Sequence, residues 1–373
     1  MAFVFFFCLI ALALYLWLIG NLMGIIPAFR QRCPSETPGQ VALTVLIPFR
    51  NEAAHIPVLV EALENQDFPS GWQVACLWIN DHSTDGGEKL LQQKSGHLIH
   101  QVINLPEAID GKKAALQAGL TAAESQWILC TDADTIPGPG WIRLMVSYAA
   151  GQKWQFATGG VVLTGNAWLQ RLQHWDMAAM MAITWLGWER QWWMLANGAS
   201  LLLSREAAIQ AGGWNQQPMA SGDDLFMVRQ LAERGFRGGF VANRDALVST
   251  PALSSWRGLL AQRKRWATKL RALQDSGIWV LGVYLLLVEW MPWLLLVAGL
   301  IWKPVFMVAG VVVLAVKWFW DTWFLRMLGR IIGRTVPFME SLWIQPMHAL
   351  FMLISAFYSI LGRSYTWKGR KVQ

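Results

Sequence analysis

The chain opens on an apolar run from Ala2 to Phe29, broken mainly by Asn21. A helix needs about 20 such residues to cross the hydrocarbon core of a bilayer, so the run predicts a transmembrane anchor. No Lys or Arg precedes it and no small-x-small site follows, which argues against a cleaved leader. The pattern then changes. Short β-type runs at Val41 to Pro48, Val74 to Ile79, His100 to Leu105 and Trp127 to Thr131 alternate with helically spaced stretches. Those stretches are Ala54 to Asn65, Gly87 to Ser95 and Lys112 to Ala123. Such alternation is the signature of an α/β layered domain.

Beyond Pro251 the pattern changes again. Ser255 to Leu273 is basic, amphipathic and contains Trp, as suits a helix lying on a membrane surface. Ile278 to Ile301 and Val305 to Leu325 are long enough to span, with Lys303-Pro304 between them. Phe338 to Leu361 is a weaker candidate because it holds Glu340, Gln345, Pro346 and His348. If that last segment is broken or interfacial, the basic tail from Arg363 to Lys371 returns to the cytosol, where positive charge tends to stay. The expected divisions are an anchor over 1–29, an α/β domain over 40–250, an interface helix over 251–276 and a membrane-associated region over 277–373.

Composition supports the membrane reading. Hydrophobic residues make up 54% of the 373 and charged residues only 15%, and the 24 Trp suit side chains with one apolar and one wet end. The net charge of +7 is dispersed: Arg30 and Arg32 follow one apolar run, and Arg326, Arg330 and Arg334 follow another. That distribution fits cytosolic rims of membrane spans and anionic headgroups, and argues against a nucleic-acid surface. Cys8, Cys33, Cys76 and Cys130 form no CxxC pair and have no His at ligand spacing. They read as free thiols in a reducing compartment.

In open parallel sheets, ligands bind at the carboxyl ends of strands, so the polar residues after each strand carry the chemistry. Asp132 and Asp134 follow the strand ending near Cys130, and two carboxylates so placed can approach one divalent cation and a diphosphate. Alone, an acidic pair ahead of Pro137-Gly138-Pro139 is equally a solvated turn. Three further loops reach the same edge: Pro48-Phe49-Arg50-Asn51-Glu52, Asn80-Asp81-His82-Ser83-Thr84-Asp85, and Asp110-Gly111-Lys112-Lys113 at a helix start. Farther on, Asp223 and Asp224 open a helical pattern; they serve as an N-cap or as a general base. In Gln262-Arg263-Lys264-Arg265-Trp266 the guanidinium groups rest on headgroups or neutralise a departing diphosphate.

This set resembles the family 2 glycosyltransferases with the GT-A fold, in the membrane-integrated branch with ceramide glucosyltransferases and cellulose, chitin and hyaluronan synthases. The stretches that carry the resemblance are VLIPFRNE, INDHSTD, DGKKAAL, TDAD, SGDD and QRKRW, in matching order from Val45 to Trp266. The resemblance implies a Rossmann-like mixed sheet in the cytosol, with an N-terminal transmembrane helix and C-terminal membrane helices. It also implies an inverting, metal-dependent transfer from a nucleotide-sugar, with UDP as the favoured nucleotide. Asp81 would contact the base and Lys112 the donor nucleotide, with Pro48, Arg50 and Glu52 in the same donor set. Asp132 and Asp134 would hold nucleotide and Mg²⁺ or Mn²⁺, Asp134 the more directly, while Asp224 would be the base. Gln262, Arg263, Arg265 and Trp266 would close the site. Two departures stand out: Asn80 replaces a frequent Asp, and Asp223 replaces the Glu that usually precedes the base.

For the acceptor, the Trp- and Met-rich tract from Trp168 to Met194 exceeds what one core-facing stripe needs. Part of it is expected to dip into the bilayer or to line an acceptor groove beside Asn197-Gly198-Ala199-Ser200. Three or four spans are few for a polymer conduit, so transfer of one sugar to a lipid or membrane-associated acceptor is preferred over a processive polysaccharide synthase. A non-catalytic scaffold or a transporter fits the acidic loops less well. Glu289, inside an expected span, must face protein or an acceptor headgroup. The whole reads as a multi-pass protein of a bacterial inner membrane with its catalytic domain in the cytosol.

Overall fold

The computed structural model describes residues 2–31, 37–92, 96–215, 223–360, 365–367 and 370–372. In chain order the first half comprises α1 (Ala2–Gln31), β1 (Val41–Phe49), α2 (Ile56–Glu64), β2 (Trp72–Asn80), α3 (Gly87–Gln92), β3 (Ile99–Asn104), α4 (Lys112–Ala122), β4 (Trp127–Cys130), β5 (Ile136–Pro137) and α5 (Trp141–Gln152). There follow β6 (Phe156–Gly159), β7 (Val161–Thr164), α6 (Trp168–Arg190), β8 (Leu201–Ser204), α7 (Arg205–Gln210), α8 (Asp223–Glu233), β9 (Gly238–Val241) and β10 (Val248–Pro251). Four long helices come next: α9 (Trp256–Leu273), α10 (Ser276–Ile301), α11 (Pro304–Ile332) and α12 (Phe338–Ile360). Two compact units result. One holds residues 31–166 and 187–252; the other takes the N-terminal helix, residues 167–186 and everything from 253 onward.

The α/β unit is built on a seven-stranded sheet in the order β3-β2-β1-β4-β8-β6-β9. Strands β3, β2, β1 and β4 run parallel, whereas β8 is antiparallel to both β4 and β6. The run VALTVLIPF in β1 is apolar on both faces because both are covered, and Val45, Leu46 and Ile47 are wholly buried. Since β1 lies between β2 and β4, the chain reverses its direction of travel across the sheet there. This is the switch point at which open sheets leave a crevice beyond the strand ends. A second sheet, β5-β10-β7, completes the unit.

In the helical unit, Phe3–Phe29, Ser276–Ile301 and Pro304–Ile332 are long and apolar enough to cross a membrane. Their outward faces keep large apolar side chains exposed, among them Phe3 (80%) and Leu300 (75%), as expected of surfaces solvated by lipid. Pro304 begins α11 and Gly333, at φ 78°, ends it. α10 and α11 come close at Gly310, where a Cβ would meet backbone atoms of Pro292 and Leu296. α1 joins this pair: Phe5, Cys8 and Leu12 pack on a core of Met291, Leu295, Phe306 and Val313. α12 runs unbroken through Pro346, and its Glu340 and Gln345 are buried. It is not among the three candidate spans. Cys8, Cys76 and Cys130 are free thiols, while Cys33 lies outside the described residues.

The Trp- and Met-rich tract is mostly packing. Trp175, Trp185 and Met177 are buried on α6, and the exposed members, Trp168, Trp192 and Met194, stand at the ends of the tract.

Candidate active site

The strand-end loops of the α/β unit meet as the parallel topology requires. After β1, Asn51 adopts the left-handed region at φ 54°, which Asn tolerates. Its backbone N–H donates to Ser83 Oγ at 3.1 Å, and its side-chain oxygen accepts from Thr84 N at 2.8 Å. Ala53 N donates to Asp85 at 2.7 Å. The first loop is thus bound to the loop after β2 by backbone-to-side-chain bonds. Pro48 is buried within β1, paired in register with Ile79 of β2.

Asp81, only 2% exposed, stands at the end of β2. Arg50 Nη1 lies 3.9 Å from its carboxylate. Burial pushes the Asp81 carboxyl above the usual range, and the Gly111 N–H and Arg50 pull against that shift. Gly111 holds φ 95° and ψ 158°, a region open in practice only to glycine, and it caps α4 just before Lys112. His82, at φ 57°, directs Nε2 to the Ile109 carbonyl at 2.9 Å and ties the same loop from its other side.

Lys112 Nζ lies 2.5 Å from Asp132 Oδ1. Two hydroxyls shape the TDAD turn: Thr135 donates to the Asp132 carbonyl at 2.7 Å, and Thr131 donates to the Ala199 carbonyl at 2.9 Å. Burial raises the Asp134 carboxyl, the negative charges of Asp132 and Glu52 raise it further, and Lys112 opposes them. Glu52 is held by His55 Nδ1 at 2.7 Å. Among the described residues no group of three or more His, Cys, Asp or Glu is arranged to enclose a metal. The donor set fits a hard divalent ion all the same, because such ions take one or two carboxylates and complete their shell with water and substrate phosphate.

Asp224 lies in the first turn of α8, where Gly198 N donates to its Oδ2 at 2.9 Å. Ala199 holds the TDAD turn and Gly198 holds Asp224, so Gly198-Ala199 is a backbone clasp joining the two acidic elements. Sequence reasoning missed that role, since a backbone N–H and carbonyl leave no side-chain signature. Ser221, Gly222 and the Asp223 side chain lie outside the described residues.

Asn80 is engaged in structure. Its amide donates to Asn104 at 2.7 Å and reaches Glu88 at 3.3 Å, while its oxygen accepts from Ser83 N at 2.9 Å. Restoring the family's frequent Asp should therefore harm the protein: Asn80→Asp faces Glu88 with a second carboxylate and loses both donated bonds. The expected cost is about 1–3 kcal/mol, read as a lower unfolding midpoint.

Gln262, Arg263, Arg265 and Trp266 lie on α9, in the helical unit. The Gln262 Oε1 is buried with no hydrogen-bond partner among the described residues. Arg263 pairs with Asp176 and stands over the Trp266 ring at 4.5 Å, so one face of that indole is occupied.

A mixed sheet with carboxylates gathered at its switch point defines a GT-A-type fold. A mannosyltransferase from Pyrobaculum calidifontis, solved with GDP-Man and Mn²⁺, shares that fold at a TM-score of 0.53 and 18% identity, over 95% of this chain and 99% of its own. The chain belongs to glycosyl transferase family group 2, whose model matches residues 127–328. The glycosyl transferase family 2 model also matches residues 44–207. Among curated relatives, a probable glycosyltransferase, YdaM of Bacillus subtilis, is 24% identical over 65% of this chain and 57% of its own length. A beta-monoglucosyldiacylglycerol synthase of Nostoc sp. is 24% identical over 66% of this chain and 52% of its own. The chain thus spans about half the length of the curated relatives it matches.

Proposed function

We propose that this chain moves one sugar from a nucleotide-sugar to a lipid or membrane-associated acceptor, with inversion at the anomeric carbon. The observation that carries this reading is the gathering of Asp81, Lys112, Asp132 and Asp134 at the switch point, with the Asp134 carboxyl raised by burial and by Asp132 and Glu52. Carboxylates in that state gain from a cation and from what the cation brings with it. Asp134 and Asp132 would hold the metal ion, which when bound supplies positive charge against the leaving diphosphate. Lys112 adds fixed charge for the same phosphates, and Asp81, with Arg50, Glu52 and Pro48 around it, orients the nucleoside. Asp224 accepts the proton of the acceptor hydroxyl as that oxygen attacks C1 from the face opposite the leaving group.

The synthase among the relatives supports a glycerolipid acceptor, as do three candidate spans in this chain. Arg30 and Arg32, which follow the apolar run from Ala2 to Phe29, favour a cytosolic catalytic domain, in a bacterial inner membrane.

The test uses the full chain in lipid nanodiscs with Mn²⁺ or Mg²⁺, total lipid extract, and a panel of UDP-sugars and GDP-mannose. Metal-dependent release of nucleoside diphosphate and a lipid bearing one added sugar are expected, and Asp134→Asn should abolish both. A ladder of products would replace the reading with a polymerase. Absence of turnover with every donor, despite tight nucleotide binding, would reject it for a non-catalytic role.

A further inference from the structure

The turn that carries Gly198 is held more firmly than a surface turn needs. Ser200 N donates to the Asn197 carbonyl at 3.1 Å and so closes the four residues from Asn197 to Ser200. Thr158, on β6, grips both ends of that turn. Its Oγ1 accepts from Asn197 N at 3.1 Å and donates to the Ser200 carbonyl at 3.3 Å. A hydroxyl has one proton and two lone pairs, so both bonds form together. The Ser200 carbonyl also accepts from Gly159 N at 2.8 Å, and Ser200 Oγ accepts from Trp141 Nε1 of α5 at 2.9 Å. Thr158, Ser200 and Trp141 are wholly buried. Val would fill such a strand position with the same shape and no hydroxyl to desolvate, so the hydroxyl is there for the turn.

What the turn serves is visible at Asp224. One carboxylate oxygen accepts from Leu225 N at 2.9 Å and the other from Gly198 N at 2.9 Å. Leu225 is the next residue of the same helix, so its bond travels with Asp224. The bond from Gly198 ties the carboxylate to the sheet instead, and it is only as steady as the turn that presents it. A general base must lie within hydrogen-bond reach of the proton it takes, and small displacements lower the rate steeply. All of these residues belong to the α/β unit.

We propose that Thr158 is a positioning residue for the proton-accepting step: by locking the turn from Asn197 to Ser200 it holds the Asp224 carboxylate, through Gly198 N, in one orientation. The inference rests on the role that the proposed function gives Asp224. The TDAD turn keeps its own bond from Thr135 to the Asp132 carbonyl, so donor binding is a separate matter.

The test follows release of nucleoside diphosphate by the full chain in nanodiscs, with Mn²⁺, total lipid extract, UDP-sugars and GDP-mannose. Calorimetric titration of UDP and of GDP, each with Mn²⁺, and the thermal unfolding midpoint accompany it. Thr158→Val keeps the volume and removes the hydroxyl. It should lower kcat about 10–10²-fold and leave nucleotide affinity at the wild-type value. Thr158→Ser, which keeps a hydroxyl, should recover most of that loss. In the Asp224→Asn background Thr158→Val should lower the rate little further, because residues that act as a unit are not additive. A merely structural role would give the same fractional loss in both backgrounds, and that result overturns the inference. So does wild-type kcat in Thr158→Val, or a fall in nucleotide affinity that matches the fall in kcat. If Thr158→Val does not fold, Ser200→Ala, which frees the turn from Trp141, decides by the same criteria. Wild-type kcat in Asp224→Asn removes Asp224 from the reaction, and a wild-type chain that turns over no donor rejects the proposed function. The inference falls with either.

Discussion

Asp224→Asn is expected to lower kcat by about 10²–10⁴-fold, the range over which a positioned general base contributes, while leaving nucleotide affinity unchanged. The substitution isolates the proton-accepting role because of how Asp224 is held. Gly198 N donates to one oxygen of the carboxylate, and an amide oxygen in the same place can accept that bond. The bond from Gly198 is kept, that from Leu225 N to the other oxygen is given up, and basicity is removed. Steady-state rates alongside calorimetric titration of UDP separate the two effects. Asp223→Asn is the companion: a fall confined to Asp224→Asn assigns the base, and a fall confined to Asp223→Asn moves that role one residue back. A loss of nucleotide binding in Asp224→Asn would make Asp224 part of the donor site.

The second large effect belongs to the helical unit. Lys317→Met should destabilise the protein by about 3–5 kcal/mol, because Glu289 and Asp321 are left as buried charges beside an apolar side chain. An ionised group at membrane depth has little water to fall back on. Thermal unfolding in nanodiscs measures the change. Glu289→Gln in the Lys317→Met background should recover much of it, since the amide has no charge to desolvate. A Lys317→Met variant with the wild-type midpoint would mean that water or lipid headgroups reach these carboxylates.

What was legible in the sequence follows the reach of each signal. Of the parallel strands, β1, β2 and β4 were legible because a strand covered on both faces needs a continuous apolar run, and VALTVLIPF, WQVACLWIN and WILC supply one. Their ends moved by one or two residues, as between Val74 to Ile79 and the observed Trp72–Asn80. The strand-end loops were legible too, because strand order along the chain becomes position along one sheet edge. The short strands β5, β7 and β10 were not. Two to four residues carry no period, and their pairing is decided by neighbours more than 80 residues away.

Polar residues in apolar tracts were only half legible. Glu289 stood out as an anomaly, but its partner Lys317 reads as one cation in a long apolar run, and Asp176 is hidden among Trp and Met. Nothing local marks them as members of buried ion pairs. Asn80 was legible as a departure from a family pattern, and only its bonds to Asn104 and Glu88 explain what the amide does there.

The helical unit is assembled from three separate stretches of chain, and its hydrogen bond from Tyr15 to Asp321 closes over 306 residues. At about 5–20 residues per second, the ribosome takes roughly 15–60 s to travel that distance. Throughout that interval α1 sits in the bilayer with no acidic partner for its phenol, while the α/β unit is already being made behind it. Completion of the bundle is therefore a late event in biogenesis. A nascent chain arrested before residue 276 would present a lone membrane segment, the kind of intermediate that a membrane-embedded chaperone must shelter.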